Sequence, residues 1–580
     1  MKSKNVILAV LAAAACAAAF SGLGWDAPSD ARAARLLSPA WDRATLFERL
    51  SSGWQDIYKK SEGSTPLAAE AAGKYTTNLS GEFQTDFASP LPPPELDNSY
   101  RSMLIRSRYP DEALPLSDLA RMKPAELNFR PPSFLYGGGY IYPLGAYYLG
   151  LSVTGAIKRL SLRSVMENPD ALGRIYLAGR LVSALSLLGI CVLALLIARR
   201  LAPGCPEAAA FAAVLAMPSV VIYSHYLTPH LWAACWGLAS IYFALCALPR
   251  LNLKPLLLSA ACLGLSAGSY WSALHTAFFV LAIMISPGWS GLDRGAIKRI
   301  LLAAVAAAAV FFILNPYLPF NWAAAVYEVF PGGSSPWGFS NSGLYPFFLK
   351  TLPQTIGPSL AILFPVGCLW GIFSGDRVLR NLSAAVLIFA LPAAKAIPPD
   401  FPSGVRRFFP WLVTGAVIGA VFLGWVASRL PKRVRAAAVA LVLAPGLLMS
   451  LAYALTFVDA AGPRSTFYRM ADKLDSMTAG HTLGMLNFPQ PAYMPAFRLD
   501  RWKLRLADSG TLQTEKRDKL PEYLLINFDQ KPRVSVFLRN SYELYEAYYP
   551  RKILGFSPDP FLSSANPPME LFRLKPAGSK

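Results

Sequence analysis

The stretch YGGGYIYPLGAYYLGL, residues 136–151, is apolar throughout, yet three consecutive glycines and Pro143 interrupt it. A helix that crosses the hydrocarbon core needs about 20 predominantly apolar residues, and glycine and proline both weaken a helix interior. The segment is therefore read as a short helix lying along the membrane rather than as a span. The orientation of everything downstream turns on this reading. Counted as a span, it would carry the basic cluster ARRLAPG, residues 198–204, to the outer side.

Further apolar runs lie at 175–198, 207–224, 229–248, 255–272, 274–288, 299–315, 351–373, 381–396, 408–428 and 435–456. Runs of this length and polarity read as membrane helices. The run at 1–24 follows Lys2 and Lys4 and is taken as the first span, with a cytoplasmic N-terminus; a cleaved secretory signal is the alternative. On this count there are about eleven spans. The links ARRLAPG, PRLNLK, DRGAIKR, GDRVLR and SRLPKRVR then all face the cytoplasm, and all are basic. The opposite links are SHYLTPH, SYWSALH, the 315–350 loop and AIPPDFPSGVRR, of which the last alone carries a basic cluster. That asymmetry is what the positive-inside rule requires.

Composition agrees. The 580 residues are 54% hydrophobic and 16% charged, against about 25% charged in soluble domains. The net charge of +20 would suit nucleic acid, but the basic residues fall in short clusters between apolar runs, so no nucleic-acid partner is expected. The seven cysteines lie in or beside the apolar runs, and none falls in the long polar regions, so no disulfide framework is expected there.

The expected fold is mainly α and polytopic, with a large first outer loop and a small C-terminal α/β outer domain. The expected division is a first helix at 1–24, an outer loop with juxtamembrane helices at 25–174, a transmembrane bundle at 175–457 and an outer soluble domain at 458–580. Within the loop, residues 38–60 suit an amphipathic helix. In the C-terminal region EYLLINF and RVSVFL read as strands. The chain is expected in the inner (plasma) membrane, with loop and C-terminal domain facing the periplasm or exterior.

Ionisable residues are nearly absent from the centres of the spans, where transporters and pumps generally need them. They gather on the outer links instead: Asp26 and Asp30 after the first run, Asp111 and Glu112 in the loop, His225, His230 and His275 at outer turns, Glu328 in the 315–350 loop, and Arg406 and Arg407 before a late span. Each alone suits an ordinary surface or interface role. Their convergence on one face points to a site there.

At this point the residues carry a resemblance. YPDEALPLSDLARMKPAELNFRPPSFLYGGGYIYPLGAYYL, residues 109–149, resembles the first-loop signature of the GT-C superfamily of membrane glycosyltransferases, relatives of protein O-mannosyltransferases and lipid A aminoarabinose transferases. There an acidic pair precedes an Asn-Phe-x-Pro element and an aromatic segment. Here the pair is Asp111-Glu112, the element begins at Asn128, and the aromatic segment includes Tyr136 and Tyr142. MPSVVIYSHYLTPHLW, ILNPYLPFNWAAAVYEV and VRRFFPWL resemble later outer segments of the family more loosely. One departure matters: the family's pair follows the first span closely, whereas here WDAPSDARAARLL occupies that place, which makes Asp26 and Asp30 rivals for the catalytic carboxylate.

The resemblance implies an inverting glycosyltransferase whose donor is a polyprenyl-phosphate-linked sugar and whose acceptor is a lipid, glycan or protein of the envelope. It implies Asp111 and Glu112 as catalytic residues, and Asp30, Asn128, Tyr136, Tyr142, Glu328, Arg406 and Arg407 as substrate-binding residues. It leaves room for a divalent metal, for which His225 and His230 are the candidate ligands, and requires no other cofactor. The alternatives are a non-catalytic or flippase-like protein of polysaccharide assembly and a solute transporter; the absence of repeated halves speaks against the last.

Overall fold

The computed structural model describes residues 2–60, 81–84, 91–158, 160–203, 207–248, 250–287, 293–329, 344–397, 402–486, 489–506, 509–553 and 555–576. The chain is mainly helical with one small sheet. Six helices among the described residues are long and apolar enough to cross a membrane: Pro169–Leu201, Pro229–Ala247, Arg294–Leu314, Arg377–Ala396, Pro402–Ser428 and Lys432–Ala460. A seventh arises if Leu344–Ile356 and Pro358–Ile372, which bend by 116° at their junction, count as one. Gly357 makes that bend with φ +86°, and a Cβ there would sit 2.8 Å from the Ala216 carbonyl oxygen. The other apolar runs form shorter helices, Val6–Phe20, Leu253–Ser269 and Trp271–Met284 among them. The run at 207–224 breaks at Met217, where Pro218, with no N–H to give, opens the helix Pro218–Tyr223.

The chain divides into two compact units. The first comprises Met1–Ser21, Pro115–Tyr147 and Gly179–Ala454 and holds most of the apolar helices. Its helix Arg294–Leu314 is apolar around most of its circumference, and Leu301, Val305 and Ile313 are exposed. An apolar surface of that kind suits lipid rather than water. The helix Gly138–Val153 carries Pro143 inside it and begins within the glycine triplet.

The second unit comprises Gly22–Leu114, Tyr148–Ala178 and Leu455–Lys580. Its sheet is six-stranded: β1 (Gly81–Gln84), β2 (Thr482–Met485), β3 (Lys503–Leu506), β4 (Tyr523–Asn527), β5 (Tyr542–Tyr548) and β6 (Met569–Leu574), in the order β1-β3-β2-β4-β6-β5. The pairs β2–β3 and β2–β4 are parallel and the rest antiparallel. Side chains alternate across β4 as a pleat demands. Tyr523 and Leu525 join a core with Leu36, Trp41, Leu46, Tyr100 and Phe467, while Leu524 and Ile526 join Val534, Leu538 and Phe572. Both faces are thus covered, which is why YLLIN reads as an unbroken apolar run.

Two sequence expectations meet different outcomes here. The amphipathic segment at 38–60 forms the helix Arg43–Lys60, and EYLLINF supplies β4. RVSVFL is not a strand but part of the helix Lys531–Ser541. Pro532 sits in its first turn, and Val534 and Leu538, four apart, bury one face. A helical repeat of apolar residues prevailed over the β-branched composition.

Candidate active site

In the second unit the acidic pair lies in a single turn of 3₁₀ helix, Pro110–Glu112. Pro110 presets the turn, and the Tyr109 carbonyl accepts the Glu112 N–H at 3.1 Å. The two carboxylates have different surroundings. Glu112 is fully buried and accepts a hydrogen bond from Ser107 Oγ. Asp111 is half-buried and accepts from Tyr109 Oη at 3.2 Å.

The rival Asp26 is buried at a positive φ of 43°. Its carboxylate lies 3.0 Å from Arg108 Nη2 and 3.7 Å from Arg32 Nη1. Arg108 is itself fully buried, with its guanidinium 3.6 Å from the centre of the Phe467 ring and a hydrogen bond to the Ala565 carbonyl. Burial pulls the Arg108 pKa below the usual arginine value, and the charge of Asp26 works against that shift. Asp26 therefore serves as the counter-ion of a buried guanidinium. Asp30 is exposed at the first position of the helix Asp30–Leu36, where Ser29 Oγ caps the Arg32 N–H. A carboxylate in the first turn of a helix is favourable there in any case.

In the first unit a second constellation forms where several helices end. Arg406, in the 3₁₀ turn Pro402–Phe408, donates to Tyr223 Oη at 3.1 Å. The ring of Tyr223 meets His230 edge-on at 5.5 Å, and His230 meets Tyr270 at 4.6 Å and Tyr136 at 6.2 Å. Arg406 and Arg407 both act on His230 electrostatically. His230 is buried, and neither ring nitrogen has a hydrogen-bond partner among the described residues. Buried polar groups are nearly always satisfied, so this imidazole stands out among the described residues as one with a hydrogen bond still to make. His225 differs: its Nδ1 and Nε2 each lie 2.9 Å from a backbone carbonyl, of Val221 and Ser21. With both nitrogens engaged, His225 does not fit a metal ion, and no three His, Cys, Asp or Glu side chains among the described residues are grouped to hold one.

Tyr136 also borders a shallow, water-sized recess lined by Pro131, Phe134, Tyr136, Gly138, Tyr142, Trp271, Asn315, Tyr317 and Leu318. The glycine triplet builds its wall. A Cβ on Gly137 would lie 1.9 Å from the Gly268 carbonyl oxygen, and one on Gly138 would lie 1.9 Å from that of Leu314. Asn315 fixes the approach, accepting the Gly138 N–H at 2.9 Å and donating to Phe311 and Gly268 carbonyls at 2.9 and 3.2 Å. Tyr142 Oη donates to the Phe129 carbonyl at 3.2 Å. Asn128 is exposed and closes a turn with Lys123, its Oδ1 accepting the Arg130 N–H at 3.1 Å. Glu328 lies on the helix Trp322–Val329, and its side chain falls outside the described residues.

No protein-family model and no curated protein matches the chain. Solved structures do. ArnT from Cupriavidus metallidurans in the apo state superposes with a TM-score of 0.39 at 13% identity, over 79% of this chain and 93% of that one. The same protein bound to undecaprenyl phosphate gives 0.39 at 14%, over 80% and 93%. The Archaeoglobus fulgidus oligosaccharyltransferase in its apo form gives 0.44 at 13%, over 78% and 70%. Reading the sequence named Tyr136, Tyr142, Arg406 and Arg407, and marked the stretches holding Tyr223 and the Asn-Pro-Tyr triplet at 315–317 as loose family likenesses, but passed over Tyr270 and Trp271 as site residues.

Proposed function

We propose that this chain is an inverting membrane glycosyltransferase of GT-C type. It transfers a sugar from a polyprenyl-phosphate donor to a hydroxyl of an envelope lipid, glycan or protein on the outer face of the inner membrane. The observation that carries the choice of base is the contrast within the acidic residues of the second unit. Asp26 is committed to Arg108, Asp30 is exposed at a helix start, Glu112 is fully buried with Ser107, and Asp111 alone of these is half-buried.

In this reading Asp111 takes the proton of the acceptor hydroxyl as its oxygen attacks the anomeric carbon. The new C–O bond forms as the bond from the anomeric carbon to the phosphate oxygen breaks, and the electron pair leaves with the lipid phosphate. General-base assistance of this kind contributes about 10²–10⁴-fold. Tyr109, donating to Asp111, orients the carboxylate. Arg406 and Arg407 hold the donor phosphate, for which planar guanidinium groups are well suited. The His230 ring, whose nitrogens have no partner among the described residues, adds a hydrogen bond to the same anion. The scheme routes no step through a metal.

The test is the double variant Arg406→Gln, Arg407→Gln, assayed for transfer from undecaprenyl-phosphate-linked glucose. Loss of two charge-assisted contacts, each worth about 1.5–3 kcal/mol, should weaken donor binding by at least about 100-fold while thermal stability is kept. Unchanged donor dependence would assign both arginines to the lipid headgroup boundary.

A further inference from the structure

The link between the helices Phe409–Ala427 and Lys432–Ala460 is the most basic of the five basic links. Arg429, Lys432, Arg433 and Arg435 fall within seven residues, and no acid lies between Asp400 and Asp459. The acid of the preceding basic link, Asp376, is engaged in capping its own helix, where it accepts the Leu379 N–H at 2.9 Å. Arg435 is tied to the end of the helix Phe409–Ala427, donating to the Leu430 and Ser428 carbonyls at 2.8 and 2.7 Å. Arg429, Lys432 and Arg433 are exposed. A patch of rings adjoins them. The Arg429 guanidinium lies 4.0 Å from the centre of the Trp425 ring. Trp425 meets Trp370 at 5.3 Å and Phe422 at 6.0 Å. Trp425 and Trp370 each stand in the last turn of an apolar helix, Phe409–Ala427 and Pro358–Ile372. Trp425, Leu430 and Val434 are all exposed.

We propose that this link binds the headgroup of an anionic glycerophospholipid on the surface of the bilayer. Four basic residues beside a membrane helix attract anionic lipid, and tryptophan is favoured at the boundary between hydrocarbon and water. Orienting a helix in the membrane takes charge alone, with no fixed geometry. Here the charge has geometry: Trp425 holds Arg429 by a cation–π contact, and the helix end holds Arg435. A guanidinium held in this way keeps N–H groups to present to a phosphate. A free phosphate would match the cations but leave Leu430, Val434 and Trp425 facing water. A phospholipid matches both, its phosphate meeting the cations and its glycerol and upper acyl chains the exposed apolar side chains. The surface needs no enclosed cavity, since the bilayer delivers the ligand to it. The inference stands apart from the glycosyltransferase reading.

The experiment follows the thermal midpoint of the purified full chain in a neutral detergent as dioctanoyl phosphatidylglycerol, dioctanoyl phosphatidylcholine or inorganic phosphate is added; a ligand that binds the folded state raises the midpoint with its concentration. Phosphatidylglycerol should bind at least about tenfold more tightly than phosphatidylcholine, and the gap should narrow in high salt. A basic residue near an anionic surface is worth about fivefold in affinity. The triple variant Arg429→Gln, Lys432→Gln, Arg433→Gln should therefore lose at least tenfold in phosphatidylglycerol binding. Removing three charges from other basic links, as Arg250→Gln, Lys254→Gln, Lys298→Gln, should leave that binding within about twofold, and so should Arg406→Gln with Arg407→Gln. Trp425→Leu should weaken it about two- to fivefold. Equal binding of the two lipids would overturn the inference, as would an unchanged triple variant. An equal loss in the control triple would mean a diffuse basic face in place of this site. An equal loss in the Arg406, Arg407 variant would move the lipid to that turn. Stabilisation by inorganic phosphate matching that by phosphatidylglycerol would mean a site for a free anion. Unchanged binding by Trp425→Leu would remove the rings from the site. Each of these four results would also overturn the assignment.

Discussion

The two candidate regions are built on opposite physics. Around Asp26 and Asp111 the second unit buries charge: two arginines and a carboxylate share an interior with Phe467, and a glutamate is fully enclosed beside a serine. Around the recess the first unit buries no charge at all, and shape comes from glycines that let one backbone touch another. A buried ion must be matched by its counter-ion, so each acidic residue of the charged region has a fixed role. A close-packed region has no such requirement, and it can present unoccupied aromatic surface to a ligand. The comparison therefore separates carboxylates engaged in holding the fold, such as Asp26, from Asp111, which the proposed mechanism assigns as the base.

The sharpest break in that comparison is Asp111→Asn. The amide keeps the shape and still accepts from Tyr109, but it takes no proton at neutral pH. Turnover with a polyprenyl-phosphate sugar should fall by about 10²–10⁴, equivalent to roughly 3–5 kcal/mol of barrier, with the thermal midpoint nearly unchanged. Asp26→Asn should show the reverse pattern. It leaves Arg108 and Arg32 buried beside a neutral group, and breaking a buried pair costs about 3–5 kcal/mol. Denaturant unfolding should register that loss, while turnover per folded molecule stays near normal. A stable but inactive Asp26→Asn protein would exchange the two roles.

Gly138→Ala tests the other side. No charge changes, but the added methyl meets the Leu314 carbonyl oxygen at 1.9 Å unless the backbone moves. Overpacking of this sort costs about 1–3 kcal/mol, and the shift would also disturb the recess. Reduced stability is expected; a variant of normal stability would show that the triplet is not under the steric constraint described.

These contrasts also mark what the sequence can and cannot reveal. Apolar length located the helices, because hydrophobicity acts over each run by itself. The triplet at 137–139 was legible as an interruption, but not as a contact surface, since its partners Gly268 and Leu314 lie over a hundred positions downstream and leave no local pattern. Asp26 and Arg108 pair across 82 positions for the same reason. RVSVFL misled because β-branched composition outweighed the four-residue spacing of Val534 and Leu538. The recess draws residues from three separate segments; the aromatic run and, more loosely, the Asn-Pro-Tyr stretch at 315–317 were marked in advance, whereas Trp271 was not.

The smallest effect is expected at Asp30, and it is the most discriminating for the choice of base. Position alone makes Asp30 a rival, because it closely follows the first apolar run. Its surroundings argue otherwise. The side chain is exposed, the backbone N–H is bound by Asp170 Oδ1 at 2.9 Å, and the helix it opens is already capped by Ser29. Asn in its place removes a charge from the first helical turn, worth about 0.3–1 kcal/mol at an exposed site. The expected outcome is a small drop in unfolding free energy that shrinks further in high salt, because the interaction is solvent-exposed and screened. Turnover should remain within about twofold of the parent, as exposed substitutions seldom propagate. If Asp30→Asn is instead inactive at full stability while Asp111→Asn turns over normally, the reacting carboxylate belongs to the segment after the first helix. The half-buried Asp111 would then be part of the framework, like Asp26.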